Sequence, residues 1–162
     1  MGLNVELFFT RAATANDVGK VIRDWFSSPP GTEGRQPDWG LPSSYDAQLW
    51  SERKRKVALA PPTGGWVAAI ESKEVLDFGL LQRLSEVLKT TVIAVQLSEV
   101  SGCCGSALCE KGAVVEHYFS EEDDDPAGVV AAVLLRNSVA ARLLTFRDAV
   151  QRRDDGWILI GP

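Results

Sequence analysis

The run Cys103-Cys104-Gly105-Ser106-Ala107-Leu108-Cys109-Glu110-Lys111-Gly112-Ala113-Val114-Val115-Glu116-His117-Tyr118-Phe119 decides the fold class. Two strand-like arms, 103–110 and 113–119, flank Lys111-Gly112, and a two-residue turn ending in glycine signals a hairpin. A turn this short forces antiparallel pairing, because parallel strands need a long crossover. A second hairpin is expected upstream, where Val57–Ala60 and Trp66–Ile70 flank Pro61-Pro62-Thr63-Gly64-Gly65. Thr91–Leu97 is rich in β-branched residues and reads as another strand. Val5, Leu7 and Phe9 alternate with Asn4, Glu6 and Phe8, which predicts a strand over 3–9. Trp157–Ile160 follows the turn Asp154-Asp155-Gly156 and reads as a short last strand.

Between these strands lie helical patterns. Val18, Val21, Ile22, Trp25 and Phe26 recur at the spacing of one helical face, with Thr14 as N-cap and Asp17 three residues on. Phe78–Lys89 repeats the pattern with Leu80, Leu81, Leu84, Val87 and Leu88, and Asp77 caps it. Asp125-Pro126 opens a helix running to about Arg152, with a break expected at Asn137-Ser138 and Val139, Leu143, Phe146 and Val150 buried in its second half. The order β-α-β-β-α-β-β-β-α-(α)-β predicts an α+β fold. Its sheet is mixed, mainly antiparallel, of six or seven strands, with three or four helices packed on it.

The 162 residues are read as a single domain, 1–162. A composition 45% hydrophobic and 24% charged excludes disordered, collagenous and disulfide-scaffold classes. The 17 basic and 22 acidic residues give a net charge of −5, which argues against nucleic acid or an anionic membrane as partner. That excess has an address. Residues 61–162 hold 9 basic and 15 acidic residues, a net of −6, and Glu121-Glu122-Asp123-Asp124-Asp125 is the densest part. Arg53-Lys54-Arg55-Lys56 runs the other way and reads as an edge strand guarded by charge. No basic-then-apolar start and no apolar run near 20 residues is present, so a cytoplasmic location is expected.

Residues 27–50 are broken by Pro29, Pro30, Gly31, Gly34, Pro37, Gly40 and Pro42, which predicts a long irregular loop. It carries Trp39, Tyr45 and Trp50, residue types that dominate binding hot spots. These three, with Glu121, Glu122, Asp123 and Asp124, are the candidate partner-binding residues.

Cys103, Cys104 and Cys109, with the only histidine, His117, invite a metal or thiol reading. A regular hairpin would set Ser106 opposite His117 and Cys104 opposite Phe119. Cys104 and His117 would then share one face, with Cys103 and Cys109 on the other and on the order of 20 Å apart. No four-ligand set forms, so neither metal nor cofactor is expected, and no catalytic residue is assigned. A bulge would shift this register by one. The alternative reading is a small enzyme using Cys104 and His117, or carboxylates among Glu116 and 121–125. A further alternative is a self-associating structural or regulatory domain, with a homodimer formed through the loop or an edge strand.

Gly65-Trp66-Val67-Ala68, the helix with Leu84-Ser85-x-x-Leu88, and Thr91–Leu97 followed by the hairpin ending at Gly112–Phe119 resemble the small α+β immunity proteins that bacteria pair with secreted toxins. The resemblance covers about half the chain and lies in structural patterns. It implies a non-enzymatic protein that binds and blocks a toxin enzyme, often a basic nuclease, through an acidic surface. It transfers no individual site residue, because such families differ most at their binding surfaces.

Overall fold

The computed structural model describes residues 4–12, 14–27, 55–72, 76–139, 145–152 and 155–161. The described strands are β1 (Asn4–Arg11), β2 (Val57–Leu59), β3 (Trp66–Glu71), β4 (Thr91–Ser98), β5 (Cys103–Glu110), β6 (Ala113–Ser120) and β7 (Ile158–Ile160). They form one sheet in the order β6-β5-β4-β1-β3-β2-β7, with β1 at its centre. Every neighbouring pair is antiparallel, so the parallel component allowed by the sequence does not occur among the described strands.

Both expected hairpins form. Lys111 and Gly112 take φ +51° and +81°, and Gly64 and Gly65 take +60° and +81°. Two successive left-handed residues match the twist of paired strands, and glycine adopts that region without a Cβ clash.

Four described helices cover the two faces of this sheet. On one face lie α1 (Ala15–Ser27) and α2 (Phe78–Val87), packed on Phe8, Leu59, Val67, Val92 and Ala94. Thr14 caps α1: its Oγ1 accepts from Asp17 N–H at 3.2 Å, and its hydroxyl donates to Asp17 Oδ2 at 2.7 Å. Gly19 lets this helix approach the sheet, since a Cβ there would stand 3.2 Å from Ile160 Cδ1. Asp77 Oδ1 caps α2 by accepting from Leu80 N–H at 3.0 Å. Leu80, Leu81 and Leu84 are buried as their spacing predicts. Val87 is not: it is exposed and lines a shallow groove with Val21, Asp24, Trp25 and Arg83, where the last turn of α2 runs beside α1.

On the other face lie α3 (Pro126–Arg136) and α4 (Phe146–Val150), over Leu7, Phe9, Ile93, Val95 and Leu97. The break expected at Asn137-Ser138 is present. Val139 N–H donates to Leu134 C=O at 2.9 Å and Ser138 N–H to Leu135 C=O at 3.0 Å, with Ser138 at φ +58°. These are the two bonds of a Schellman stop, with serine where glycine is usual. Val139 is buried and Phe146 and Val150 are half-buried, while Leu143 lies outside the described residues.

The basic run behaves differently from expectation. β2 is not an edge, because it pairs with both β3 and β7. Arg55, just before it, is buried, and Lys56 is exposed. Arg53 and Lys54 lie outside the described residues.

Candidate functional site

The acidic turn is built where β6 hands the chain to α3. Ser120 ends β6, and Asp125 caps α3 by accepting from Gly128 N–H at 3.1 Å. Asp123 organises the residues between. Its N–H donates to Gly102 C=O at 2.8 Å, its Oδ1 accepts from Asp125 N–H at 2.9 Å, and its Oδ2 accepts from the Tyr118 hydroxyl at 3.3 Å. Gly102, in the β4–β5 turn, takes φ +71°, and a Cβ there would sit 3.1 Å from the Asp123 carbonyl oxygen. The five acids therefore divide. Asp123 and Asp125 hold the turn, while Glu121, Glu122 and Asp124 are exposed with none of their carboxylates engaged in these bonds.

The strand leading into this turn, β6, stands last in the order of the described strands, and Ala113, Val115, Glu116, His117 and Tyr118 along it are exposed. Val115 is 53% and Tyr118 45% exposed, so an apolar and an aromatic side chain stand among the charges. Glu116 pairs with Arg136 of α3, an exposed contact that contributes little stability. From Glu110 to Asp125 the chain holds seven acids and one Lys, Lys111.

Register settles the cysteine and histidine geometry. Glu110 pairs with Ala113 and Cys109 with Val114, as a regular hairpin requires. A bulge then intervenes, and beyond it Leu108 pairs with Glu116, Ala107 with His117 and Cys104 with Ser120. Strand side chains alternate between faces, so the one inserted residue moves His117 to the α1/α2 face, with Ala107. Cys104 points to the α3/α4 face. The expected sharing of a face by Cys104 and His117 is thus overturned, and the sheet separates them.

The three thiols are free, and Cys104 and Cys109 are buried. Burial, and then Glu121, pushes the Cys103 thiol above its ordinary range. Burial, with smaller contributions from Asp123 and Cys103, does the same to Cys104. Burial alone pushes Cys109 up to about 12. Nucleophilic thiol chemistry needs a lowered pKa, so the environment acts against it at all three. Among the described residues no group of three or more His, Cys, Asp or Glu is placed to hold a metal ion. No described helix is long and apolar enough to cross a membrane.

Trp39, Tyr45 and Trp50, and the 27–50 loop that carries them beyond Ser27, lie outside the described residues. The chain on either side of that segment meets in a buried charged network that sequence reasoning missed. Arg55 forks onto Glu71, Nε to Oε2 at 2.8 Å and Nη2 to Oε1 at 3.0 Å, and its Nη1 reaches Asp77 Oδ2 at 2.6 Å. Trp25 Nε1 donates to the same Asp77 oxygen at 2.9 Å, and the guanidinium stands 5.0 Å from the Phe26 ring centroid. Burial opposes the charge on Arg55, but Glu71 and Asp77 outweigh it and hold its proton more firmly than in a free arginine. Glu6, register partner of Gln96, is a third buried carboxylate on this face. A cleft of about 350 Å³ opens beside it, lined by Asn4, Glu6, Glu71, Ser72, Thr145 and Arg147 among others.

No protein-family model matches the chain, and the searches of curated proteins and of solved structures found no match to it either.

Proposed function

We propose that this is a non-enzymatic binding protein of the immunity or inhibitor kind, whose partner is a protein with a basic surface such as a toxin domain. The observation that carries the reading is the gathering of charge at one end of the sheet. Seven of the acids lie between Glu110 and Asp125, and Glu121, Glu122 and Asp124 project from a turn whose shape Asp123 and Asp125 maintain. A compact field of one sign steers an oppositely charged partner and rejects like-charged ones. The raised thiol pKa values and the separation of Cys104 from His117 favour binding over thiol catalysis. Trp39, Tyr45 and Trp50 are the aromatic part of the same proposal.

The test is capture from an extract of the source cell with the full chain as bait, beside the triple variant Glu121→Lys, Glu122→Lys, Asp124→Lys. The expected result is one stoichiometric basic protein, released as salt is raised and not retained by the variant. Absence of a stoichiometric partner, or equal retention by the variant, overturns the reading.

A further inference from the structure

We infer that the outward face of α3 is an interface between two copies of this chain, paired antiparallel about a two-fold axis. From Pro126 to Leu135 this helix carries no charged or polar side chain. A helix apolar all round is ordinarily buried, yet only Val130 and Leu134 of α3 are. Ala131, Ala132 and Leu135 are exposed and Gly128 is half-buried. Leu135, at 81%, is the most exposed large apolar residue among those described. These four recur at the spacing of one helical face, so they form a continuous apolar stripe, and continuous apolar surface marks an interaction site.

The stripe is complementary to itself. Leu135 stands at one end and Gly128, without a side chain, at the other. Both lie about 5 Å along the helix from a two-fold axis drawn between Ala131 and Ala132, on opposite sides of it. Antiparallel pairing therefore seats each Leu135 over Gly128 of the second copy and sets Ala131 against Ala132, where small residues let the backbones approach. The ends match in charge as well. Asp124 and Asp125 are exposed beside the N-terminus of α3, and Arg136, its side chain 61% exposed, closes the C-terminus. The antiparallel pair brings Arg136 of each copy beside these acids of the other, whereas parallel pairing would oppose Arg136 to Arg136. Arg136 already meets Glu116 through its Nη2, and a guanidinium with five donors accommodates a second carboxylate. The helix is about 16 Å long, too short to bury by itself the roughly 800 Å² per partner of a stable complex, so the dimer is weak and forms at high concentration.

The test is sedimentation velocity of the full-length protein from about 10 μM to about 1 mM, beside Leu135→Glu, Ala132→Glu and Arg136→Gln. Gly128 is left unchanged, because a Cβ there would strike the Asp125 carboxylate that caps its own helix. Glutamate is a good helix former and both apolar positions are exposed, so these variants are expected to melt with the wild type at the lowest concentration. The wild type is expected to move from monomer to dimer across the series. Association should be about tenfold weaker or more in each glutamate variant and several-fold weaker in Arg136→Gln. A wild type that stays monomeric throughout, or a dimer that both glutamate variants retain, overturns the interface. Unchanged association of Arg136→Gln overturns the antiparallel arrangement. A lowered melting temperature of dilute Leu135→Glu shows that the chain's own residues cover the stripe, and overturns the proposal too.

Discussion

Arg55 and Glu71 meet inside the protein as a two-point fork, with bonds of 2.8 and 3.0 Å and neither side chain more than 5% exposed. They are 16 residues apart in sequence, one leading into β2 and the other closing β3. The guanidinium also holds Asp77, whose other oxygen caps α2, so one cation ties two strands to the start of a helix. Replacing Arg55→Met leaves buried carboxylates without their counter-charge, at a cost of about 3–5 kcal/mol. Denaturant unfolding measures it, and a loss below 1 kcal/mol would show that Glu71 and Asp77 find other compensation.

The acids of the 121–125 turn should separate under substitution. Asp125→Ala removes the N-cap of α3 and costs about 1 kcal/mol. Glu121→Gln, Glu122→Gln and Asp124→Asn each change stability by less than about 0.5 kcal/mol, as exposed charges do. The same denaturant midpoints check both halves.

Lys89 and Ser138 both occupy the left-handed stop after a helix, at φ +50° and +58°. Thr90 N–H reaches Ser85 C=O at 3.1 Å after α2, as Val139 reaches Leu134 after α3. A side chain is strained there and glycine is not, so Lys89→Gly and Ser138→Gly are each expected to stabilise by about 0.5–1 kcal/mol. An unchanged or lowered melting temperature for both would contradict this.

Thiol reactivity follows burial. Cys103, the partly exposed one, is expected to react first with an alkylating reagent, and Cys104 and Cys109 only on unfolding. His117→Ala leaves the Cys104 rate unchanged, because the bulge sets His117 on the face opposite Cys104. A drop in the Cys104 rate in that variant would restore the dyad.

Alkaline pH gives a further handle. The Cys109 thiol is raised from 9.0 to about 12 in the folded chain. The unfolded chain therefore loses this proton first. Its contribution is fully present below about pH 9 and declines as pH rises towards 12. Cys109→Ala removes that part of the decline; parallel stability curves for the two proteins between these pH values would refute it.

What the sequence makes legible is what local chemistry determines. Lys111-Gly112 and Gly64-Gly65 specify their turns because few residues tolerate two left-handed positions in succession. Asp77 and Asp125 specify helix starts because a cap acts within three residues. The bulge escapes such reading. Val114 and Val115 suit a regular strand as well as a bulged one, and contacts across the sheet decide between them. Arg55 escapes for a related reason. Within a run of four basic residues it looks solvated, and only Glu71 and Asp77, 16 and 22 residues further on, make its burial tolerable. In the acidic run, residue type identifies a charged turn, but the division between Asp123 and its exposed neighbours depends on Gly102, from another hairpin.

The Arg55 network also bears on evolution of the intervening chain. Phe26 and Trp25 lie at the C-terminal end of α1, and Arg55 stands against the first ring and shares Asp77 with the second. Whatever path residues 28–54 take, their two anchor points are brought together by groups outside the segment. Loop-closure entropy depends only logarithmically on length, so halving or doubling such an insert changes the free energy of folding by about 0.6 kcal/mol. The entropy of closing such a connection then places little restraint on its length. A scaffold that fastens both ends of a connection from outside keeps that fastening when the connection between them changes length.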